Sequence, residues 1–193
     1  MRYAGHSAKL LCALFGLVLG LTVFTRLKEG HLPATEVLEG SKVADPTSEV
    51  LYEEFKKILD TPIPKIEMES LEGETISSRH YRSQAYLLVF ADPDCLICDE
   101  IYPQLREASG VLPLLVVSSG GRQEMVNKLR EYKLDCPVAY DSLHVLGQIL
   151  HVRGVPTAMY INSQGHIVGA VTGDLSTKKL IRSTMEMVQS DNL

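Results

Sequence analysis

Apolar positions recur in two rhythms along the chain. Tyr86-Leu87-Leu88-Val89-Phe90-Ala91 is apolar on both faces of an extended segment, and 112–118 repeats the pattern, so both read as strands buried in a central sheet. Other apolar residues recur every three or four positions: Ile101, Leu105 and Ala108 up to Gly110, then Met125, Val126, Leu129 and Tyr132 after the Gly120-Gly121 break. That period predicts amphipathic helices, with two more over 142–152 and 177–188. Val138-Ala139-Tyr140 predicts a short strand, and 158–161 with 167–171 a hairpin around Asn162-Ser163-Gln164-Gly165. Upstream, Ile66, Met68 and Ser70 alternate with charged residues before a glycine turn, which predicts a second hairpin over 66–77 and then a short turn or helix through Tyr81. Val50, Leu51, Phe55, Ile58 and Leu59 predict a helix over 48–59, ended by Thr61-Pro62-Ile63-Pro64. Strands alternating with helices imply an α/β sandwich with some antiparallel edge.

The first 46 residues follow neither rhythm. Residues 10–25 are uncharged and apolar, flanked by Arg2 and Lys9 before and by Arg26 and Lys28 after. As a helix they span about 24 Å, a little short of a ~30 Å hydrocarbon core, and snorkelling of Lys9 supplies the remainder. Only Gly20-Leu21-Thr22 offers anything like a cleavage site, so an uncleaved anchor is favoured over a signal peptide. The organisation expected is a tail over 1–9, a transmembrane anchor over 10–27, a Pro- and Gly-bearing linker over 28–46 and one domain over 47–193. A single N-terminal anchor ordinarily leaves the domain on the outer side of the membrane, although basic residues at both ends make the charge rule a weak guide here.

Composition narrows the classes. The 193 residues are 45% hydrophobic, as a globular core requires, and the net charge of −5 is spread without a basic stripe, which argues against a nucleic-acid partner. Four cysteines in this length exclude a disulfide-knit scaffold. Cys12 lies in the apolar segment and Cys136 reads as a small buried residue beside a strand.

Cys95 and Cys98 carry the chemistry. They follow a buried strand and open a helix, where backbone N–H groups and the helix dipole favour a thiolate. Thiols three positions apart can close a disulfide. Cys95 is then the nucleophile that attacks another disulfide, and Cys98 the thiol that resolves the mixed disulfide. Half of a zinc site and a chance pair of buried cysteines are the competing readings, the first weakened by the lack of a second Cys-x-x-Cys or a close histidine pair. His144, His151 and His166 stand alone in the sequence.

Phe90 to Pro103 and Gly154-Val155-Pro156-Thr157 together resemble the thioredoxin-like family, with Pro103 eight positions after Cys95 and Val-Pro-Thr leading into a strand. The spacing of 61 positions from Cys95 to Pro156, the 66–77 hairpin, the N-terminal anchor and Phe90-Ala91-Asp92-Pro93-Asp94-Cys95 are similar to the membrane-tethered TlpA, ResA and MauD group. The resemblance implies a three-layer sandwich with a central mixed sheet, a helix kinked at Pro103, and a cis bond before Pro156. It also implies that Val155, Pro156 and Thr157 dock an extended substrate segment. By the same resemblance the protein exchanges thiols and disulfides on the outer side of a bacterial cytoplasmic membrane, with a disulfide- or thiol-bearing protein as substrate and a membrane thiol–disulfide donor as partner. Its cofactor is none beyond the redox-active Cys95–Cys98 disulfide.

Three departures shape the expectation. Leu96-Ile97 replaces the family's Gly-Pro or Pro-containing pair, no Trp precedes Cys95, and Val89 stands where thioredoxin has a buried acid. Asp92, Asp94, Asp99 and Glu100 surround the cysteines with negative charge that opposes a thiolate, which predicts a stable disulfide and a reductant or isomerase-like role over net oxidation; the resemblance implies that this role serves the maturation of another protein. A peroxiredoxin needs a hydroxyl where Asp92 stands. Copper delivery through Cys95, Cys98 and a distant His, and a non-catalytic thioredoxin-like binding module, are the alternatives from other classes.

Overall fold

A computed structural model describes residues 54–191. The predicted tail, anchor and linker, and residues 47–53 of the domain, lie outside the described residues. Among the described residues no helix is long and apolar enough to cross a membrane.

Among the described residues seven strands form two sheets. β1 (Glu67–Glu69) and β2 (Thr75–Ser77) make the predicted hairpin, with Gly73 at φ +89 in its turn, where a side chain would be strained. β3 (Tyr86–Phe90), β4 (Leu114–Ser118), β5 (Val138–Tyr140), β6 (Thr157–Ile161) and β7 (Ile167–Thr172) form the main sheet in the order β5-β4-β3-β6-β7. β3, β4 and β5 run parallel, whereas β6 pairs antiparallel with β3 and β7 with β6. The sheet is therefore mixed, and β3 lies at its centre with all five residues buried. A single bridge from Ser70 to Ala139 joins the hairpin to the β5 edge.

The helices are α1 (Tyr102–Ser109), α2 (Arg122–Tyr132), α3 (Val145–Ile149) and α4 (Asp174–Asp191). On one face of the sheet Tyr86, Leu88, Phe90, Leu115, Val117, Met159 and Ile161 meet Ile66 and Ile76 of the hairpin region, Phe55, Ile58, and Leu146 and Leu150 at α3. α1 and α4 pack against each other and against the strands, burying Leu105, Ala108, Leu180 and Ile181. Two covered faces explain why β3 and β4 are apolar at every position.

Two predicted helices are cut differently. The helix expected over 142–152 is reduced to five residues because His144 and His151 adopt left-handed backbone, φ 54 and 56, on either side of it. The Asp141 carboxylate accepts from Val145 N and Gly147 N and so holds the entry. The helix expected to open at the cysteines is a 3-10 turn, Leu96–Glu100, followed by α1.

Candidate active site

β3 ends at Phe90, and residues 91–95 carry the chain over the edge of the sheet to the 3-10 turn. Cys95 caps that turn, and its Sγ accepts the Cys98 N–H at 3.2 Å. Cys95 and Cys98 are joined by a disulfide with their Cα atoms 5.2 Å apart, inside the span such a bond allows. Cys98 is fully buried while Cys95 is partly exposed. Ile101, at φ −101, is the joint between the turn and α1, and Pro103 sits in the first turn of α1, where its missing N–H costs nothing. Instead of kinking one helix, the proline starts the second. The dipole of a long helix is therefore not delivered to Cys95, and a single N–H at 3.2 Å stands in for it.

Sixty residues downstream, Val155-Pro156 has the cis bond that the family resemblance implies. Val155 O lies 3.6 Å from Cys95 Sγ. In the disulfide that sulfur has no hydrogen to donate; reduction would give it one, directed at a waiting carbonyl. Pro156 is buried and its carbonyl is already engaged, accepting from Gly173 N at 2.8 Å and Thr172 Oγ1 at 3.3 Å. Thr157 is fully buried, and its hydroxyl donates to Gly154 O at 2.7 Å. Its side chain thus ties the loop down from behind and does not reach its surface.

The expected crowding of negative charge needs correction. Asp92 turns its carboxylate to the loop after β4, accepting from Ser119 N at 2.7 Å, Ser119 Oγ at 2.9 Å, Gly120 N at 2.9 Å and Ser118 Oγ at 3.0 Å. Burial pushes its pKa up, but the hydrogen bonds from Ser119, Gly120 and Ser118 outweigh burial and hold the carboxyl below the usual range. Asp99 pairs with Lys128 at 2.6 Å, and that hydrogen bond holds the ammonium above its ordinary value. Glu100 pairs with Lys178 at 3.0 Å. Three of the four carboxylates are thus compensated, and Asp94 is exposed to water.

Cys136 is half-buried and free, its thiol pushed up to about 12 by burial and then by Asp135, which leaves it protonated and inert. His151 faces Glu54 at 3.1 Å. Among the described residues no three His, Cys, Asp or Glu side chains converge as metal ligands.

Two features escape a reading of the sequence. Leu96 and Ile97 are 84% and 55% exposed, so the dipeptide between the cysteines presents apolar surface to solvent. Two large apolar residues set among Asp94, Asp99 and Glu100 are the signal that pointed there. Bordering the cis-proline loop at Val155, a cavity of about 190 Å³ opens between Asp92, Val117, His144, Gln148 and Val155, which come from four separate parts of the chain.

A mixed sheet with a Cys-x-x-Cys disulfide after its central strand and a cis-proline loop touching the first sulfur defines a thioredoxin-like thiol–disulfide oxidoreductase. Among known proteins the chain is similar to the thiol-disulfide oxidoreductase ResA of Halalkalibacterium halodurans, 26% identical over 131 residues, 64% of this chain and 73% of that protein. ResA of Bacillus thuringiensis subsp. konkukian is 25% identical over 137 residues, covering 66% and 77%. Of solved structures, StoA from Bacillus subtilis superposes with a TM-score of 0.52 at 25% identity, over 63% of this chain and 97% of its own. A putative thiol:disulfide interchange protein DsbE from Chlorobium tepidum reaches 0.59 at 16% identity, over 66% and 95%, a likeness of fold alone. No family model matches the chain.

Proposed function

We propose that the protein is a membrane-tethered reductant of protein disulfides, working outside the bacterial cytoplasm in the maturation of another protein. In the reduced state the Cys95 thiolate attacks one sulfur of a substrate disulfide, forming a mixed disulfide and releasing the other substrate sulfur, which takes up a proton. Cys98 then attacks Cys95 Sγ. The Cys95–Cys98 disulfide forms, the second substrate thiol leaves, and two electrons have passed to the substrate. A membrane thiol–disulfide donor restores the dithiol.

The observation that carries this division of labour is the unequal burial of the two sulfurs, Cys95 partly exposed and Cys98 fully buried. Val155 and Pro156 dock the substrate as an extended segment beside Cys95, with Thr157 holding the loop in place. Leu96 and Ile97 supply apolar contact to the partner protein. The tether is assigned to residues 10–27, joined by 28–46 to the domain over 47–193, and it rests on the apolar run alone.

Replacing Cys98 by Ser in membranes of the source cell tests the reading. The variant is expected to accumulate a mixed disulfide at Cys95 that dithiothreitol releases, and Cys95→Ser to accumulate none. Equal trapping by both variants, or by neither, contradicts it.

A further inference from the structure

At the end of the sheet away from the disulfide there is a second recess. Tyr86 pairs with Ile161 at that end of β3, whereas Phe90 pairs with Thr157 beside the redox loop, so the two ends are about 13 Å apart along the strand. The recess, about 460 Å³, lies between Tyr86, the 3-10 turn Ser78–Tyr81 and the turn between β6 and β7. Lys65, Arg79 and Arg82 line it, and among the described residues no acidic side chain does. In a chain of net charge −5 that concentration of positive charge runs against the overall balance.

The local backbone explains the convergence. Arg79 lies in the 3-10 turn and Arg82 caps its end, three positions on, and a helix of three residues per turn sets such positions on the same side. Both arginines are exposed. Lys65 reaches Glu67 at 2.9 Å, an exposed pair that a competing anion can displace at small cost. The Glu67 carboxyl is held below its ordinary value by the Lys65 hydrogen bond and charge, with a further contribution from Arg79. Ser78 Oγ accepts from Ile66 N at 3.1 Å, which leaves its hydroxyl proton available to a ligand. Behind the charges Tyr81 and Tyr86, with rings 4.5 Å apart, make an aromatic wall.

We propose that this recess is a binding site for a phosphate group, gripped by the Arg79 and Arg82 guanidinium forks with Lys65 at its edge. An anionic phospholipid headgroup, whose phosphodiester has no ammonium to neutralise it as in phosphatidylcholine, and a free phosphate or phosphoester present the same oxyanion. A headgroup bound there would turn the disulfide end of the sheet away from the bilayer.

The full chain tests this in two arms, inorganic phosphate by calorimetric titration and flotation with phosphatidylcholine vesicles with or without phosphatidylglycerol. Arg79→Gln/Arg82→Gln is expected to weaken the phosphate-dependent interaction at least tenfold, roughly the loss of one charge-assisted contact, while insulin reduction stays unchanged. Loss in both arms assigns a free phosphate as well as a headgroup. Loss only of the phosphatidylglycerol-dependent part of flotation assigns the headgroup, and loss only of phosphate binding assigns the soluble ligand. The single variant Arg82→Gln, on an exposed side chain, serves if the double variant fails to fold. The proposal is overturned if the wild-type chain binds neither phosphate nor phosphatidylglycerol vesicles beyond phosphatidylcholine, or if the variants bind both as the wild type does.

Discussion

Asp92 accepts four hydrogen bonds on one carboxylate, and its role is to fasten the segment before Cys95 to the loop after β4. Because its folded pKa is depressed, its contribution to stability is present above the ordinary value of 3.8 and is lost as the pH falls through the lower folded value. Asp92→Asn is expected to destabilise the domain at pH 7, and the gap between variant and wild type should narrow below about pH 3.8; urea unfolding across that range checks it. Asp99 follows Cys98 directly in the chain, and its charge is compensated by Lys128. Lys128→Met leaves the Asp99 charge uncompensated four positions after Cys95, so thiolate formation at Cys95 is opposed and alkylation of the reduced protein at pH 7 should slow. Leu96→Gln removes exposed apolar surface beside the cysteines without adding charge or touching either sulfur. It should raise KM for a protein disulfide several-fold and leave reduction of a small aromatic disulfide nearly unchanged.

At the level of elements, β3 supplies both the centre of the core and the platform for the site. Leu88 is fully buried in it, and Leu88→Ala is expected to cost about 2–5 kcal/mol in chemical denaturation, with the exchange rate of the surviving folded fraction little altered. The loop after β4 must approach closely: a Cβ on Gly120 would lie 2.5 Å from Pro93 Cδ, and Pro93 is buried. Gly120→Ala therefore should shift the segment leading to Cys95 and lower both thermal stability and exchange rate. Strands were legible because β3 and β4 are apolar throughout and the β6–β7 turn carries Asn162 and Gly165, with φ +81 at the glycine. The helices at the site were not. Left-handed backbone at His144 and His151 shortens α3, and no hydrophobic period reports such a conformation. The break between the 3-10 turn and α1 falls at Ile101, two positions before the proline that signals it.

Across the whole molecule, the active site joins three stretches of chain: the cysteines after β3, the loop after β4, and the cis-proline loop before β6. The first and third were legible as motifs, and the contact between Val155 O and Cys95 Sγ confirms that they meet. What the sequence could not disclose is which acids are compensated, since Asp99 finds Lys128 29 residues away and Glu100 finds Lys178 78 residues away. With the carboxylates largely paired, the case for a stable disulfide rests less on crowding by negative charge and more on the absence of a long helix dipole at Cys95. A short 3-10 turn offers one N–H where a strong oxidant needs extensive stabilisation of its thiolate. Equilibration of the full chain with glutathione redox buffers, followed by quantifying the Cys95–Cys98 disulfide, tests this most directly. A single two-electron transition nearer thioredoxin's potential of about −270 mV is predicted, and it should vanish when either cysteine is replaced. A potential close to the roughly −120 mV of DsbA, or a disulfide that does not exchange at all, would contradict the account.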